Sequence, residues 1–517
     1  MKILLVNPPP WYFAVPYSGY AILYDILKSK GYEVKILELT GWRDLRRDLF
    51  DIRRANYMDT PELYEQHIVP IITEPVKKLS RVLADENWDV IGFTLNYLNI
   101  FNTKMICREI KKIKPGQIII GGGYSCFSVE AALNISNDID YYFIGDADDS
   151  LPLFLDAIKN KKNPDCISGV LNYKNTGAFK HAVPPDPSLI EVPSYDGFNE
   201  NSYSKKRPRI AIMGSRGCPW AKCRFCISPQ MHFRKRNRNH VISELRYHLK
   251  RGMKDIIFND PSFPSDEDDL KIIDEFYKVR KEFGYDYGIE GQCRISNLLT
   301  PEIAAKLKDS GFGLMMFGYE SGSDRLLEIM NKGITRSEIL NCVKNCKKGG
   351  LNVSGYFLIG HPKETEEDFF KTASLVIEMS PYLAQLEDVN TYMFQLGTDE
   401  YKDALNNPEI SMSSIPFGGC VNIHGWHTKD NNIKTRQDRT RFIEILTRVL
   451  GKLPDWRKYN PGSNTKKIIY SDTITEAERY FGKLASSFIH FMNKNGDEKT
   501  ILDIIRFLYN IYSKILI

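Results

Sequence analysis

The feature that most constrains the fold is a strand–helix alternation that occurs twice, with a proline-rich stretch between the two series. In the first series, short apolar runs stand at 2–6, 33–39, 89–95, 117–121 and 141–145, with helical segments near 99–112 and 149–160. Ser18 is placed to cap an earlier helix carrying Ala21, Leu23, Tyr24 and Leu27, which Gly31 would end. Nearly continuous apolar strands between helices predict a parallel, doubly wound sheet. Residues 41–85 exceed a normal crossover and are expected to add helices. Residues 174–207 carry Pro184, Pro185, Pro187 and Pro193 among polar residues and read as a linker. The second series has strand-like runs at 209–213, 255–259, 287–293, 313–319 and 353–359, with helical segments following them. Five or six such units predict a complete or partial (β/α) barrel. The expected division is therefore 1–173, a linker 174–207, a barrel 208–400 and a mostly helical region 401–517.

Charge and apolar content narrow the function classes. Lys+Arg 70 against Asp+Glu 65 leaves +5 over 517 residues, too little to argue a nucleic-acid partner. No apolar run reaches the roughly 18–20 residues of a membrane span, and the opening strand is too short for a signal peptide. The expected location is the cytoplasm. Ten cysteines in this length do not make a disulfide scaffold. Cys107, Cys126, Cys166, Cys293, Cys342, Cys346 and Cys420 are scattered, but Cys218, Cys223 and Cys226 are clustered. The cluster lies in Gly217-Cys218-Pro219-Trp220-Ala221-Lys222-Cys223-Arg224-Phe225-Cys226, just after the first strand of the second series. A loop there sits at the mouth where barrels carry function. Three close thiolates can hold three irons of a [4Fe–4S] cluster and leave the fourth open. Zinc, with His232 as fourth ligand, and inert thiols are the alternatives.

Further segments follow in order: Phe258-Asn259-Asp260-Pro261, Phe317-Gly318-Tyr319-Glu320-Ser321-Gly322, Met330-Asn331-Lys332-Gly333, and Gly355 through Gly360-His361-Pro362-Lys363-Glu364-Thr365. With the cysteine loop and its Phe225, they resemble the radical S-adenosylmethionine (SAM) enzymes. The spacing here is Cys-x4-Cys-x2-Cys where the family usually has x3, and His361 and Lys363 stand where Phe and Gly are commoner. The resemblance implies a [4Fe–4S] cluster on Cys218, Cys223 and Cys226, a SAM bound through its open iron, and a 5′-deoxyadenosyl radical that abstracts hydrogen. It assigns Glu320 and Ser321 to the ribose or methionine part of SAM, Arg294 to its carboxylate and Gly360 to the approach of adenine. Phe225 and Asp260 belong to the same cofactor-binding set. An electron donor such as flavodoxin or ferredoxin is implied as partner.

The first series ends its strands in Gly92-Phe93-Thr94-Leu95-Asn96, Gly121-Gly122-Gly123 and Gly145-Asp146. Glycines at such ends let a large ligand approach backbone. The arrangement is similar to the cobalamin-binding domains fused to radical SAM enzymes, with Thr94, Asn96, Gly122, Gly123, Gly145 and Asp146 as the implied contacts. Asn7-Pro8-Pro9-Pro10 stands where other cobalamin proteins carry an axial histidine, so the implied cobalamin lacks a histidine ligand and Asn7 belongs to its site.

Together these features imply a Rossmann-like cobalamin-binding domain, a radical SAM partial barrel and a helical C-terminal region. The implied activity is a cobalamin-dependent methyltransferase acting on a carbon of a small molecule or peptide. The alternatives are cyclisation, ring contraction or another rearrangement, with the N-terminal domain as a platform for substrate or partner. A tRNA methylthiotransferase fits less well, because Cys107, Cys126 and Cys166 form no second cluster motif. Three features are expected to be structural: the basic run Arg234–Arg238 as a solvated connector, His424 and His427 as a polar turn, and the apolar face of 501–517 as a packing surface.

Overall fold

The computed structural model describes residues 1–9, 15–39, 61–199, 209–284, 287–412, 420–421, 424–452, 481–488 and 498–515. Pro10, the first part of the 41–85 segment, the end of the 174–207 stretch, residues 453–480 and the last two residues lie outside these.

Six strands make the first sheet: β1 (Lys2–Asn7), β2 (Glu33–Glu38), β3 (Val90–Thr94), β4 (Ile118–Gly122), β5 (Tyr141–Phe143) and β6 (Val170–Asn172). Their order is β2-β1-β3-β4-β5-β6, parallel except for β6, which runs antiparallel to β5. β6 was not legible as a strand because its apolar run is only Val170 and Leu171. Alternate side chains of β1 enter different cores. Ile3 and Leu5 pack with the 18–29 and 150–159 helices, while Leu4 and Val6 face the side of Ile72, Leu79 and Ile106. Both faces are thus covered by helices, which a parallel sheet requires. The helix Ser18–Ser29 has Tyr17 at its cap position with no side-chain cap, so Ser18 is the first helical residue and does not cap. The 41–85 segment does contain helices, Pro61–His67 and Val69–Asp85. Strand order reverses at β1/β3, and a doubly wound sheet opens its ligand crevice there.

The second sheet holds β7 (Ile210–Ile212), β10 (Asp255–Phe258), β11 (Gly288–Cys293), β12 (Phe312–Glu320), β13 (Val353–Ile359) and β14 (Asp388–Thr391). All pair in parallel in the order β14-β13-β12-β11-β10-β7. The two end strands do not pair with each other among the described residues, so the barrel is partial. Between β7 and β10 a short antiparallel ladder, β8 (Ser215–Arg216) with β9 (Arg234–Lys235), frames the cysteine loop.

The proline-rich segment packs as a strap. Ser194 donates from N and Oγ to Asp25 at 2.7 Å, and buried Tyr195 donates to the Ala211 carbonyl at 2.7 Å. The tail also folds onto the barrel. In the helix Glu498–Ile515, Ile501, Ile505, Leu508 and Tyr512 are buried in the barrel's core, and Tyr509 meets Phe369 and Phe442. The apolar face is therefore a packing face over its described part, from Ile501 to Tyr512. Burying a large apolar side chain contributes roughly 1.5–3 kcal/mol, which is why this stripe docks. Among the described residues no helix is long and apolar enough to cross a membrane.

Candidate active site

The cysteine loop is clamped at both ends. Buried Asp260, after β10, accepts from Gly214 N at 2.6 Å, Ser215 N at 2.9 Å and Ser215 Oγ at 2.8 Å. Burial pushes its carboxyl up to about 7 despite these hydrogen bonds. Asp260 therefore anchors the loop's backbone. At the far end Trp220 donates to the Asn331 carbonyl at 2.9 Å, and Arg224 N to the Met330 carbonyl at 3.0 Å. Gly333 is required here, because a Cβ would lie 2.2 Å from the Trp220 ring. Arg294 stacks on the other part of this assembly, its guanidinium 4.1 Å from the Trp220 ring centroid, and donates to the Gly333 carbonyl at 2.9 Å. Within the Cys218–Cys223 interval Ala221 stands at φ 45°, in the left-handed region that a side chain disfavours.

Cys218, Cys223 and Cys226 are partly exposed, whereas every other cysteine except Cys166 is buried. Burial pushes the Cys223 thiol up to about 11, with the cations Lys332 and Arg294 pulling it down. Ser228 N donates to the Cys226 sulfur at 3.4 Å. The environment is cationic, which favours a bound thiolate. Among the described residues no three His, Cys, Asp or Glu form a preassembled metal cage.

Glu320 ends β12 at φ 61° and pairs with Lys332 at 2.6 Å, both side chains about one-eighth exposed. Lys332 lies 5.9 Å from the Phe225 ring centroid, so Glu320, Lys332, Phe225 and Arg294 converge on the loop. Two expected SAM contacts fall elsewhere. Ser321 is fully buried, with its Oγ 3.1 Å from Thr372 Oγ1 and accepting from Ser323 N at 3.1 Å, so it ties the strand end to the 366–379 helix. Gly360, at φ 81°, leaves room for a side chain of the helix Ile433–Val449: a Cβ would lie 2.6 Å from Arg436 Cγ. Arg436 itself stacks 3.8 Å from the Trp426 centroid. His361 is buried with Nε2 3.0 Å from Glu400, while His424 and His427 are exposed.

At the other sheet, a cavity of about 420 Å³ opens at the strand ends. Thr94, Gly122, Gly123, Gly145 and Asp146 line it, with Tyr17 and Tyr124 beside them. Gly123 has φ 103°, and a Cβ on it would lie 2.8 Å from Thr94 Oγ1. At Gly122 the nearest protein atom to a Cβ is Phe143 Cβ at 3.5 Å. Asn7 and Asn96 are not on the wall. Asn7 is fully buried with its Nδ2 3.4 Å from Glu38, and Asn96 Oδ1 accepts from Leu98 N and Asn99 N to close a turn. Asp146 faces the cavity but is held by Arg234 at 2.9 Å and Arg216 at 3.3 Å.

These arginines correct the reading of 234–238 as a solvated connector. Arg234 and Arg236 are ion-paired, to Asp146 and Glu244, and Lys235 sits 2.6 Å from both Asp266 and Asp269. Alternating basic residues in a run after the cysteine loop were the available signal; Arg216, isolated in sequence, had none.

The barrel side of this cavity is built by Ser215, Arg216, Gly217, Gln230 and His232. The radical SAM superfamily description matches residues 212–376. An uncharacterized methyltransferase of Pyrococcus horikoshii is 30% identical over 360 residues, covering 66% of this chain and 76% of the relative. The chain belongs to the radical SAM superfamily and is an enzyme. Its fold is similar to that of the cobalamin-dependent SAM radical enzyme OxsB, solved with aqua-cobalamin and SAM bound, at TM-score 0.67 and 15% identity over 98% of this chain and 75% of that one. It is also similar to the radical SAM methyltransferase TsrM from Kitasatospora setae, solved with cobalamin and a [4Fe–4S] cluster, at TM-score 0.62 and 17% identity over 80% of this chain and 81% of that one. The architecture expected from the sequence, a Rossmann-like sheet followed by a partial barrel, is the one these structures share.

Proposed function

We propose that this chain is a cobalamin-dependent radical SAM methyltransferase that methylates an unactivated carbon of a small molecule or peptide. One observation carries the reading: a single cavity runs from the glycine cradle Gly122-Gly123 to Gly217, the residue before Cys218. The two cofactor-binding ends then serve one reaction space. In this assignment residues 1–173 are the cobalamin-binding domain, 174–207 the linker, 208–400 the radical SAM barrel and 401–517 the helical C-terminal domain.

The residues fit the groups they would hold. Cys218, Cys223 and Cys226 would each hold an iron, on a loop facing the cations Arg294 and Lys332. Arg294 and the Glu320–Lys332 pair supply charges for the amino acid part of SAM. The cavity is within the roughly 300–1,000 Å³ of ordinary ligand sites, and Gly122 faces it with no protein atom crowding a Cβ position. Thr94, Gly123 and Gly145 would cradle the cobalamin tail. When bound, the cluster and SAM supply a hydrogen-abstracting radical and cobalamin supplies the methyl group. The protein's part is to position these groups and exclude water. Tyr17, Phe127 and Pro184 line the cavity, and the Asp260 clamp holds the loop's approach. A reducing partner of the flavodoxin or ferredoxin class would deliver the electron.

The test is anaerobic reconstitution. The chain is expected to bind about four irons and four sulfides, to take up hydroxocobalamin stoichiometrically and to cleave SAM to 5′-deoxyadenosine under reduction. Folded, cluster-loaded protein with no affinity for any cobalamin would exclude the methyltransferase and leave a rearrangement enzyme with a platform domain.

A further inference from the structure

Arg216 and Arg234 face each other directly across the β8–β9 ladder. Like charges at opposed positions destabilise an antiparallel pair. Both guanidinium groups reach out of the barrel to the end of β5. Arg216 makes a two-pronged contact with Asp148, at 2.8 and 3.0 Å, and Asp146 lies between the two arginines, 2.9 Å from Arg234 and 3.3 Å from Arg216. The side chains of Arg216 and Asp148 are only 13% and 11% exposed. All four residues line the shared cavity. Gly145, at φ 86°, turns the chain after β5 so that Asp146 and Asp148 point across.

We propose that Asp146, Asp148, Arg216 and Arg234 form an ion-pair seam that sets the separation of the two strand-end arrays, and so are positioning residues for the two-cofactor reaction. The proposal rests on the functional reading above for its consequence, though not for its geometry. Arg216 is one residue from Gly217 and two from Cys218, so a shift of the seam moves the cysteine loop relative to the Gly122-Gly123 cradle. The repulsion of the paired arginines makes the seam self-registering: the ladder is favourable only with the two carboxylates seated against it.

The test uses the full chain, reconstituted anaerobically. Hydroxocobalamin binding is followed by absorbance and backbone amide exchange by hydrogen–deuterium mass spectrometry at 145–150 and 213–217. Asp148→Asn and Arg216→Gln are each expected to weaken hydroxocobalamin about tenfold or more and to speed exchange in both segments, with iron content and 5′-deoxyadenosine formation retained. The reversed pair, Asp148→Arg with Arg216→Asp, is expected to restore both readouts toward wild type. Should that pair not fold, Arg216→Lys, which keeps charge without the fork, must fall between wild type and Arg216→Gln. Unchanged exchange and affinity in the single variants would overturn the seam. So would a folded reversed pair as weak as the singles, which would mean direct contact with the cofactor. Absence of hydroxocobalamin binding by wild type would sink the functional reading instead, and the exchange measurements would still decide the seam.

Discussion

The strand ends of the two sheets are built on opposite principles. The first sheet ends in glycines, and its contribution is space: Gly122 and Gly145 present backbone with no protein atom nearer than 3.5 Å to a Cβ at either. The barrel ends in paired side chains, Arg294 on Trp220, Glu320 on Lys332 and Asp260 on the loop backbone, and its contribution is charge held in place. A site made of space tolerates polar exchange and fails on added volume. A site made of charges tolerates little chemical change even at constant volume.

The sharpest test of this contrast is at the cysteines. Cys223→Ala should abolish 5′-deoxyadenosine formation, while buried Cys342→Ala should leave it intact, measured by chromatography of the quenched reaction. Retained cleavage in Cys223→Ala would place the ligand set elsewhere. Next in size, Gly122→Val should lose hydroxocobalamin binding yet hold its melting temperature close to wild type, since protein atoms leave the Cβ room. Gly123→Val should lose both, because φ 103° and the Thr94 contact at 2.8 Å strain any side chain there. Equal melting losses in the two would break the distinction between space for a ligand and space for the chain.

At the barrel end, Glu320→Gln keeps volume but removes the charge that pairs with Lys332, whose side chain is only about one-eighth exposed. SAM cleavage efficiency should fall on the order of tenfold to a hundredfold, the usual scale of a lost charge-assisted hydrogen bond. An unaffected rate would remove Glu320 from the machinery.

The pH dependence of stability reports on the barrel region. Asp260 and Glu364 are raised by burial to about 7 from ordinary values of 3.8 and 4.5. The folded state therefore holds protons that the unfolded chain releases. Their stabilisation is complete below the unfolded values and declines as pH rises toward 7. Asp260→Asn, which keeps acceptors for Gly214 N and Ser215 N on one oxygen, should flatten part of that fall in melting temperature between pH 5 and about 7. An unaltered pH profile would show that the carboxyl stays ionised. The smallest effect is expected at Thr94→Val, nearly isosteric on the cradle. Hydroxocobalamin should weaken only several-fold, about 1 kcal/mol for one hydrogen bond.

Much of this organisation is legible in the chain. Strand periods, the glycine-rich ends and the spaced cysteines are local patterns, so β1, β3, β4 and β10 through β13 stand close to where apolar runs place them. Other features depended on partners distant in sequence. Gly360 looked like space for a ligand and proves to be space for Arg436, 76 positions away. Ser321 shares a motif with Glu320 but points to Thr372, because it lies past the strand's end, beyond the left-handed turn at Glu320. Asn96 caps a turn that only its own backbone required.

By itself the sequence determined the α/β architecture, the order of its two sheets and the cysteine loop. Those follow from hydrophobic periodicity and short-range spacing, which act over a few residues. Only the tertiary structure decided that the first sheet's strand ends share one cavity with Ser215, Arg216 and Gly217, that the proline-rich stretch and the 498–515 helix pack onto their neighbours, and that Arg216 and Arg234 face Asp146 and Asp148. Ion pairs and cavities are properties of surfaces brought together by the packed cores, and a charge carries no mark in sequence of the charge it will meet.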